Sequence, residues 1–323
     1  MTRELNWLLP AILILIVAFT YGFVAGRFRV FPHKLLQQLV HRKRTSQSQP
    51  WSIGIYSGQT PFRLHSPKNV RNPVLTAQSV TDCEAAFVAD PFMLLDNSRY
   101  YLFFEALTTK ERKGVIGLAD SDDGCEWKYR QVVLDEPFHL SYPYVFKHEN
   151  EIYMIPESSW DFSVRLYRAI EFPCRWEFEH ELLKGYRFAD PSVIQYQGTW
   201  WMFVSTAGSD VLNLYYADEL KGPWHQHPRS PLLKLNKHIA RPGGRLIELD
   251  GNLYRFAQDD EPLYGLQVLA FQVTEITKSS YQERQISQFE MDKATKNGWN
   301  AHGMHTVDPH LVNGEWLVAI DGW

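Results

Sequence analysis

The stretch Asp90-Pro-Phe-Met-Leu-Leu95, followed by Tyr100-Tyr-Leu-Phe-Phe-Glu105, decides the fold class of this chain. Its two apolar runs are rich in the aromatic and aliphatic residues of strands, and a polar turn at residues 96–98 separates them, so the stretch predicts a β-hairpin. A similar sequence motif begins at four further positions: Tyr142-Pro143, Asp190-Pro191, Arg241-Pro242 and Asp308-Pro309. The five prolines are 52, 48, 51 and 67 residues apart, which indicates a structural repeat of about fifty residues.

A second phrase follows the hairpin in three of the copies and predicts a second hairpin. It begins with a short apolar run and ends on a tryptophan, at Ile116–Trp127, Leu166–Trp176 and Leu214–Trp224. Four strands per fifty residues are typical of a β-propeller blade and not of a helical repeat. The sequence therefore predicts an all-β fold, a five-bladed β-propeller whose blades open near residues 90, 142, 190, 241 and 308. We interpret the recurring tryptophans as packing residues.

The fifth copy reaches only its second strand, and the start of the domain supplies a match for the remainder of that blade. Trp51–Gly58 resembles the third-strand phrase at Ile116–Ser121. We therefore expect a domain over residues 51–323 in which residues 51–81 complete the last blade. Trp51–Gly58 would pair with the C-terminal strand Glu315–Gly322, and Val74–Val80 would be the outermost strand. Such a closure removes the free edges between the first and last blades.

An apolar segment precedes the repeats. Trp7–Gly26 contains twenty residues without a charge, enough for a single N-terminal transmembrane helix at about 1.5 Å per residue. A cleaved signal peptide ending at residues 24–26 is the alternative, although its apolar region is usually only about 7–15 residues long. Residues 27–50 form a basic linker with six Lys or Arg residues, whereas one precedes the segment. By the positive-inside rule we expect a single-pass membrane protein with a cytoplasmic propeller. The linker either lies on the bilayer surface or is solvated.

Charge and cysteine content exclude several classes of function. Of 33 basic and 37 acidic residues, seven basic and one acidic residue lie within residues 1–50, which leaves 26 basic and 36 acidic residues in the propeller. A domain this acidic repels phosphates, so we expect no nucleic-acid partner and favour neutral or cationic ligands. The three cysteines include no CxxC pair and support neither a disulfide framework nor a thiolate zinc site.

The repeat register predicts a polar centre for the ring. The innermost strand of a propeller blade runs along the central channel, so the opening residues fall on one rim: Asp90, Tyr142, Asp190, Arg241 and Asp308. The polar ends of the second strands give a second tier: Glu105, Glu157, Ser205, Gln258 and either Ile320 or Asp321. Three inward aspartates indicate a carboxylate-rich sugar or cation site. Alternatively, each Asp-Pro starts a strand and its carboxylate caps local backbone N–H groups. We favour function because Tyr142 and Arg241 keep the position without that turn motif.

Histidines cluster around the fifth ring position, in the stretch from Ala301 to His310. Imidazoles and a carboxylate are suitable ligands for a divalent ion. However, the spacings of 3, 3 and 2 between His302, His305, Asp308 and His310 match no established zinc pattern. We therefore predict no metal and no cofactor, and we interpret His305 as a sugar-binding residue.

Five of these phrases carry a resemblance to known families. They are FVADPFM (87–93), YPYVF (142–146), ADPS (189–192), ARPGGRL (240–246) and HTVDPH (305–310), and the likeness covers essentially everything after the linker. The chain resembles the five-bladed glycoside hydrolases of the arabinanase and β-xylosidase type. It is more closely similar to the N-terminal domain of the glucosamine inositolphosphorylceramide transferase family.

The resemblance to the hydrolases implies catalytic roles for two ring residues. Asp90 matches their general base, and Asp190 matches the aspartate that tunes the pKa of the acid. The position of their general acid is Arg241 here, and a guanidinium cannot donate a proton at neutral pH. Glu157, as a tentative catalytic residue, or Glu105 would have to replace it, because inverting hydrolysis needs both an acid and a base.

Two functional hypotheses follow, and the missing acid favours the first. One is a membrane-anchored carbohydrate-recognition propeller that serves glycan or glycolipid processing, since the transferase relatives carry their glycosyltransferase domain separately. The other is a glycoside hydrolase with Asp90 as base and a rearranged acid. A protein-interaction propeller would instead have a hydrophobic rim. The expected partners are a glycan or glycolipid, the membrane and a glycosyltransferase. The expected ligand-binding residues are Tyr142, Arg241, Asp308, Glu105, His305 and Gln258.

Overall fold

The computed structural model describes residues 50–287, 289–291 and 298–323. The expected membrane segment, Trp7–Gly26, and the basic linker up to residue 49 lie outside these ranges. Across the described ranges, no helix has both the length and the apolar character needed to cross a bilayer.

The described residues form five sheets, the blades of a β-propeller, which are antiparallel except for the parallel pair β2–β20. The first strands of the chain are β1 (Ser52–Thr60) and β2 (Arg63–His65). Blade 1 contains β3 (Ala85–Asp96), β4 (Arg99–Thr108), β5 (Gly114–Ser121) and β6 (Lys128–Leu134). Blade 2 contains β7 (Ser141–His148), β8 (Glu151–Ser158), β9 (Ser163–Glu171) and β10 (Arg175–Lys184). Blade 3 contains β11 (Phe188–Tyr196), β12 (Thr199–Thr206), β13 (Leu212–Ala217) and β14 (His225–Gln226).

The last two blades are less regular. Blade 4 contains β15 (Arg241–Pro242), β16 (Ile247–Leu249), β17 (Asn252–Asp259), β18 (Gln267–Ile276) and β19 (Tyr281–Gln285). Blade 5 combines β20 (Glu290–Met291), β21 (Val307–Val312) and β22 (Glu315–Gly322) with β1 and β2, in the order β21-β22-β1-β2-β20. Single 3₁₀ turns occur at Ala77–Ser79 and Ser159–Asp161. The expected five-bladed, all-β architecture is therefore confirmed.

Blade 5 joins the two ends of the described domain. Strand β1 pairs antiparallel with β22, from Ser52 opposite Gly322 to Gly58 opposite Trp316. The expectation that Val74–Val80 forms the outermost strand is wrong. Leu75 makes only an isolated bridge to Ile53, and β2 takes the position beside β1. The reason is local, because the short turn between Thr60 and Arg63 folds β2 back onto β1 before residue 74 is reached.

The recurring tryptophans secure the turn between the third and fourth strands of their blades. Trp127, Trp176 and Trp224 each donate their indole N–H to a backbone carbonyl three or four residues earlier, at 3.1, 3.0 and 3.0 Å. Trp176 also packs edge-on against Phe103 of blade 1, with ring centroids 5.4 Å apart. These contacts give the indoles a structural role between and within blades.

A β-bulge opens each of the first three blades. Asp90, Tyr142 and Asp190 have φ angles of 53°, 47° and 51°. Each precedes a proline at a point where the pairing register shifts by one residue. This left-handed conformation is ordinarily taken by glycine at the first position of such a bulge, and for other residues it costs on the order of 1–3 kcal/mol. Backbone strain is thus present at the rim of the channel where the blades open, which we call the mouth.

Candidate functional site

Arg241 is the centre of one group of polar side chains at the mouth. Its Nε lies 2.6 Å from Asp190 Oδ2, and its Nη2 lies 3.4 Å from Glu157 Oε2. Gln258 donates from Nε2 to the same Asp190 oxygen at 2.5 Å. Burial raises the pKa of the Asp190 carboxyl to about 7, with Arg241 opposing the shift and Glu157 adding to it. Glu157 of blade 2, Asp190 of blade 3 and Gln258 of blade 4 are therefore linked to Arg241, directly or through Asp190.

His305 is the centre of a second group. Its Nδ1 lies 2.5 Å from Asp321 Oδ2, and its Nε2 lies 3.8 Å from Asp90 Oδ1. Although burial opposes protonation, Asp321 and Asp90 raise the pKa of His305 to about 9. Burial in turn raises the pKa of Asp90 to about 6, against the attraction of His305. The ring of Trp51 stacks on the imidazole, with centroids 4.1 Å apart. At neutral pH the second group thus contains a buried imidazolium between two carboxyl groups.

In both groups, carboxylates accept hydrogen bonds from backbone N–H groups of the following blade. Asp321 Oδ2 accepts the N–H of Asp90 at 3.0 Å, and Asp90 Oδ2 accepts the N–H of Tyr142 at 3.2 Å. In the same way Glu157 Oε2 accepts the N–H of Asp190 at 3.3 Å. Capping by these carboxylates is therefore real, but the capped N–H group belongs to the bulge of the next blade and is not local.

Glu105 and His139 form a pair beside these groups. His139 Nε2 lies 3.4 Å from Glu105 Oε1, and the Glu105 side chain is buried. Burial, followed by repulsion from Asp90, raises the pKa of Glu105 well above its usual value. Burial, followed by Arg187 and Arg241, lowers the pKa of His139 to about 4. Burial thus favours the protonated form of the Glu105 carboxyl and the neutral form of the His139 imidazole.

The side chains of two expected ligand-binding residues, Tyr142 and Asp308, belong to neither of the groups around Arg241 and His305. The Tyr142 hydroxyl donates to Gly244 O at 3.0 Å and accepts the Gly244 N–H at 2.6 Å, so only the backbone of Tyr142 reaches Asp90. Asp308 binds Arg245 Nε at 2.5 Å and the Met93 N–H at 2.6 Å. Both side chains therefore tie blades together below the mouth.

Asp308 is displaced from the mouth because blade 5 lacks the bulge. Asp308 lies opposite Ala319, two residues before Asp321, and Phe92 lies opposite Phe103, two residues before Glu105. Asp308 is thus equivalent to Phe92, and the proline-based register that equated it with Asp90 is wrong at this blade. Of the two second-tier alternatives, Asp321 is the residue whose carboxylate reaches the site.

One group of side chains in the described residues has the composition and spacing of a metal site. The ligand atoms of Asp90, His305 and Asp321 all lie within 4.8 Å of one another. Two carboxylates and an imidazole are suitable ligands for a divalent ion, but the imidazole binds a metal only in its neutral form. The pKa of about 9 at His305 instead makes the imidazolium the counterion of this group. His302 stacks on Trp323 and His310 bonds to Asp308, so neither belongs to it.

Several side chains at the site escaped the sequence analysis. His139 lies in the loop before blade 2 and has no equivalent in the repeat, so no periodic signal marks it. Thr306 donates its hydroxyl to Asp90 Oδ1 at 2.8 Å. Tyr264 lies with its ring 5.4 Å from the Arg241 guanidinium carbon. An exposed Trp160 follows Glu157 by three residues, and only the adjacency of the two in sequence could have suggested it.

Sequence comparison identifies related proteins. The family described as "Glucosamine inositolphosphorylceramide transferase 1, N-terminal" matches residues 44–323. The glucosamine inositolphosphorylceramide transferase 1 of Oryza sativa subsp. japonica is 38% identical over 296 residues, which cover 84% of this chain and 40% of that protein. The Arabidopsis thaliana protein of the same name is 33% identical over 335 residues, with 94% of this chain and 43% of that protein covered. The chain thus spans about two fifths of the length of these relatives.

Solved structures share the fold. An exo-1,5-α-L-arabinanase from a bovine ruminal metagenomic library has a TM-score of 0.53 at 17% identity, covering 73% of this chain and 88% of that one. The Cellvibrio cellulosa α-L-arabinanase complexed with arabinohexaose has a TM-score of 0.53 at 12% identity, covering 71% and 87%. At such identities the likeness establishes the propeller fold alone. Family membership depends on the match over residues 44–323 and on the identity to the plant proteins, and by these the chain belongs to the family of the N-terminal domain of glucosamine inositolphosphorylceramide transferase 1.

Proposed function

We propose that the propeller is a carbohydrate-recognition domain whose mouth binds one sugar residue of a glycan or glycolipid. The observation that carries this proposal is the excess of buried carboxyl groups over cations at the mouth. Five carboxyl groups, from Asp90, Glu105, Glu157, Asp190 and Asp321, are buried around the two cations Arg241 and His305. Buried carboxyl groups in excess of their counterions destabilise a fold, which favours a role in binding.

The chemistry of the mouth suits sugar hydroxyls. Ionised carboxylates accept strong hydrogen bonds from hydroxyl groups, while Arg241, and Glu105 whenever it is protonated, can donate to ring and hydroxyl oxygens. The excess of negative charge disfavours uronic acids and sugar phosphates and favours neutral or amino sugars. This preference agrees with the acidic composition of the propeller as a whole.

The family relationship supports a role in glycolipid processing. The plant relatives are named as transferases, and this chain covers 40–43% of their length. We infer that the propeller presents a glycan or a lipid-linked sugar to a glycosyltransferase partner. The apolar Trp7–Gly26 would anchor it as a single-pass protein, with the propeller on the cytoplasmic side because the basic residues follow the span.

An array of defined mono- to hexasaccharides tests this function. The full-length chain, held in phosphatidylcholine nanodiscs, is expected to bind a subset of neutral or amino sugars and no uronic acids. Asp90→Asn and Asp190→Asn should abolish this binding, whereas the conservative change of the exposed Glu149, at a turn on the opposite end of blade 2, to Gln should preserve it. An array on which the wild-type chain binds no glycan would overturn the proposal.

The second candidate function is glycoside hydrolysis. The observation that favours it is the presence of two carboxyl groups with raised pKa values in one site. The pKa of Asp90 is about 6, and burial raises the pKa of Glu105 well above its usual value. A carboxylate base beside a protonated carboxylic acid is the pattern expected of an acid–base pair. Release of nitrophenol from nitrophenyl glycosides by the wild-type chain, and its loss in Glu105→Gln, would establish this activity. No release from any substrate would exclude it.

A further inference from the structure

Trp160 is the first residue of interest outside the mouth, because its indole is held in a fixed position and yet is 60% exposed. It lies in the 3₁₀ turn Ser159–Asp161, immediately after β8, which contains Glu157 and ends at Ser158. Ser159 donates its hydroxyl to Glu157 Oε1 at 2.6 Å. Asp161 accepts from Arg165 Nε at 2.8 Å. Hydrogen bonds thus fix the turn at both ends, and at one end the acceptor is Glu157, a carboxylate of the proposed sugar site.

The indole itself contacts two further residues of the site region. The imidazole of His139 stacks with it at a centroid distance of 6.0 Å and an interplanar angle of 28°. The guanidinium carbon of Arg187 lies 5.7 Å from the ring. Cation–π and stacking contacts of this kind each contribute on the order of 1 kcal/mol. Since His139 is also the neighbour of Glu105, the position of the indole is defined relative to two of the carboxyl groups.

Two other exposed aromatic side chains lie on the same two loops. Phe162, at 47% exposure, ends the turn of Trp160, and Tyr186, at 63%, precedes blade 3. The loops that carry them are joined by a hydrogen bond from Gly185 N–H to Phe162 O at 2.8 Å. Large apolar side chains are usually removed from water during folding. Exposed aromatic rings on two joined loops, with Trp160 fixed beside the polar site, therefore suggest a ligand that covers them.

We propose that Trp160 stacks against the apolar face of a second sugar ring, next to the sugar held by the mouth carboxylates. This inference rests on the proposed carbohydrate-recognition function and adds that the natural ligand is a disaccharide or a longer glycan. One face of a pyranose presents C–H groups that pack on an aromatic ring, while its hydroxyls point outward to polar groups. Arg187 and Asp161 supply such polar groups beside the indole.

A sugar fits this surface better than a bilayer does. The three rings alternate with charged side chains, since Lys184 and Arg187 flank Tyr186 and Asp161 separates Trp160 from Phe162. Stacking on single rings combined with hydrogen bonds between them is typical of carbohydrate sites, whereas an interfacial membrane face is continuous and strongly amphipathic.

The test compares binding of short and longer glycans by the full-length chain in phosphatidylcholine nanodiscs on the array described above. The variants are Trp160→Ala, Trp160→Phe, which keeps an aromatic ring, and Phe178→Ala. Phe178 is a matched control because it is 51% exposed on β10, the outermost strand of the same blade. Melting temperatures equal to that of the wild type establish that each variant is folded.

We expect Trp160→Ala to weaken binding of di- and longer saccharides roughly 3- to 10-fold, with monosaccharide binding unchanged. Trp160→Phe should recover most of the loss, and Phe178→Ala should behave as wild type. Unchanged binding of all glycans by Trp160→Ala, while the wild type binds, would overturn this inference and leave the proposed function intact. Equal loss for mono- and oligosaccharides would also overturn it, because Trp160 would then act only by positioning Glu157.

Two further outcomes are decisive. A loss restricted to lipid-linked glycans embedded in the nanodisc, with free glycans unaffected, would assign the aromatic rings to the bilayer and overturn the stacking role. Absence of any glycan binding by the wild-type chain would overturn the proposed function and this inference together.

Discussion

The guanidinium of Arg241 and the carboxylate of Asp190 form an ion pair of 2.6 Å between blade 4 and blade 3. An acidic residue in place of Arg241 would leave Asp190 and Glu157 without their shared counterion. Arg241 therefore neutralises two buried carboxyl groups, and this role leads to the first prediction.

Replacing Arg241 with alanine should destabilise the propeller by about 3–5 kcal/mol, because it leaves two carboxyl groups buried without their shared counterion. Glycan binding should weaken as well. Chemical denaturation of the full-length chain in mild detergent measures the first effect. The Asp190→Asn, Arg241→Ala double variant is the control and should recover part of the loss. A single variant as stable as the wild type would show that the ion pair makes no net contribution to the free energy of unfolding.

Replacing Asp90 with asparagine should abolish glycan binding and change stability by no more than about 1 kcal/mol, since the substitution relieves repulsion from Asp190 and Asp321 while removing a charged acceptor. Because the pKa of Asp90 is about 6, wild-type binding should decline as the pH falls below 6. Titration of binding between pH 5 and pH 8 provides the measurement. A loss of several kcal/mol with intact binding would show that Asp90 only caps the bulge at Tyr142.

The ion pair of His305 predicts a pH dependence of stability. The folded-state pKa of His305 is about 9, above its ordinary value of 6.5, so the folded protein binds the proton more tightly than the unfolded chain does. The stabilisation is therefore complete below pH 6.5 and is lost as the pH rises through 9, a change of roughly 3 kcal/mol. Unfolding free energies at pH 6.5 and 9.5 test this prediction. His305→Gln should remove that part of the slope, and an unchanged slope would contradict the ion pair.

Removal of Trp51–Ser57 should unfold the domain. The deletion takes away most of β1 and exposes the edge of β22 along its length. Thermal denaturation of the full-length chain with and without these residues is the measurement, and substitution of the exposed Gln59 is the control. A deletion variant with an unchanged melting temperature would mean that the ring does not depend on this closure.

The orientation in the membrane is a separate prediction. Six basic residues follow Trp7–Gly26 and one precedes it, so we expect the propeller to be cytoplasmic. Protease added to intact cells should leave the domain uncut until the cells are lysed. Digestion before lysis would place the propeller on the opposite side.

The sequence predicts the blades well because their spacing and hairpin turns repeat. It also predicts that Asp90, Asp190, Arg241 and Asp308 converge, since equivalent positions of a cyclic repeat share a circle, with Glu105, Glu157 and His305 beside them. Asp308 is the exception, because its side chain binds Arg245 and the Met93 N–H instead. The sequence could not predict the bulges. Asp190-Pro191 has one and Asp308-Pro309 has none, although the two dipeptides are identical. That difference lies in the register of each hairpin and in which carboxylate of the neighbouring blade accepts the displaced N–H group.

The bonds from carboxylates to the bulges of the following blade have a consequence for the exchange of blades between related propellers. Asp321 of blade 5 accepts a hydrogen bond from the Asp90 N–H, and Glu157 of blade 2 accepts one from the Asp190 N–H. A transplanted blade would therefore bring its own strained opening residue but not the acceptor that satisfies it. Functional recombination should cut the ring so that each bulge travels with the carboxylate of the preceding blade that accepts its N–H group. Single-blade swaps that ignore this pairing would leave an amide without a partner in the interior.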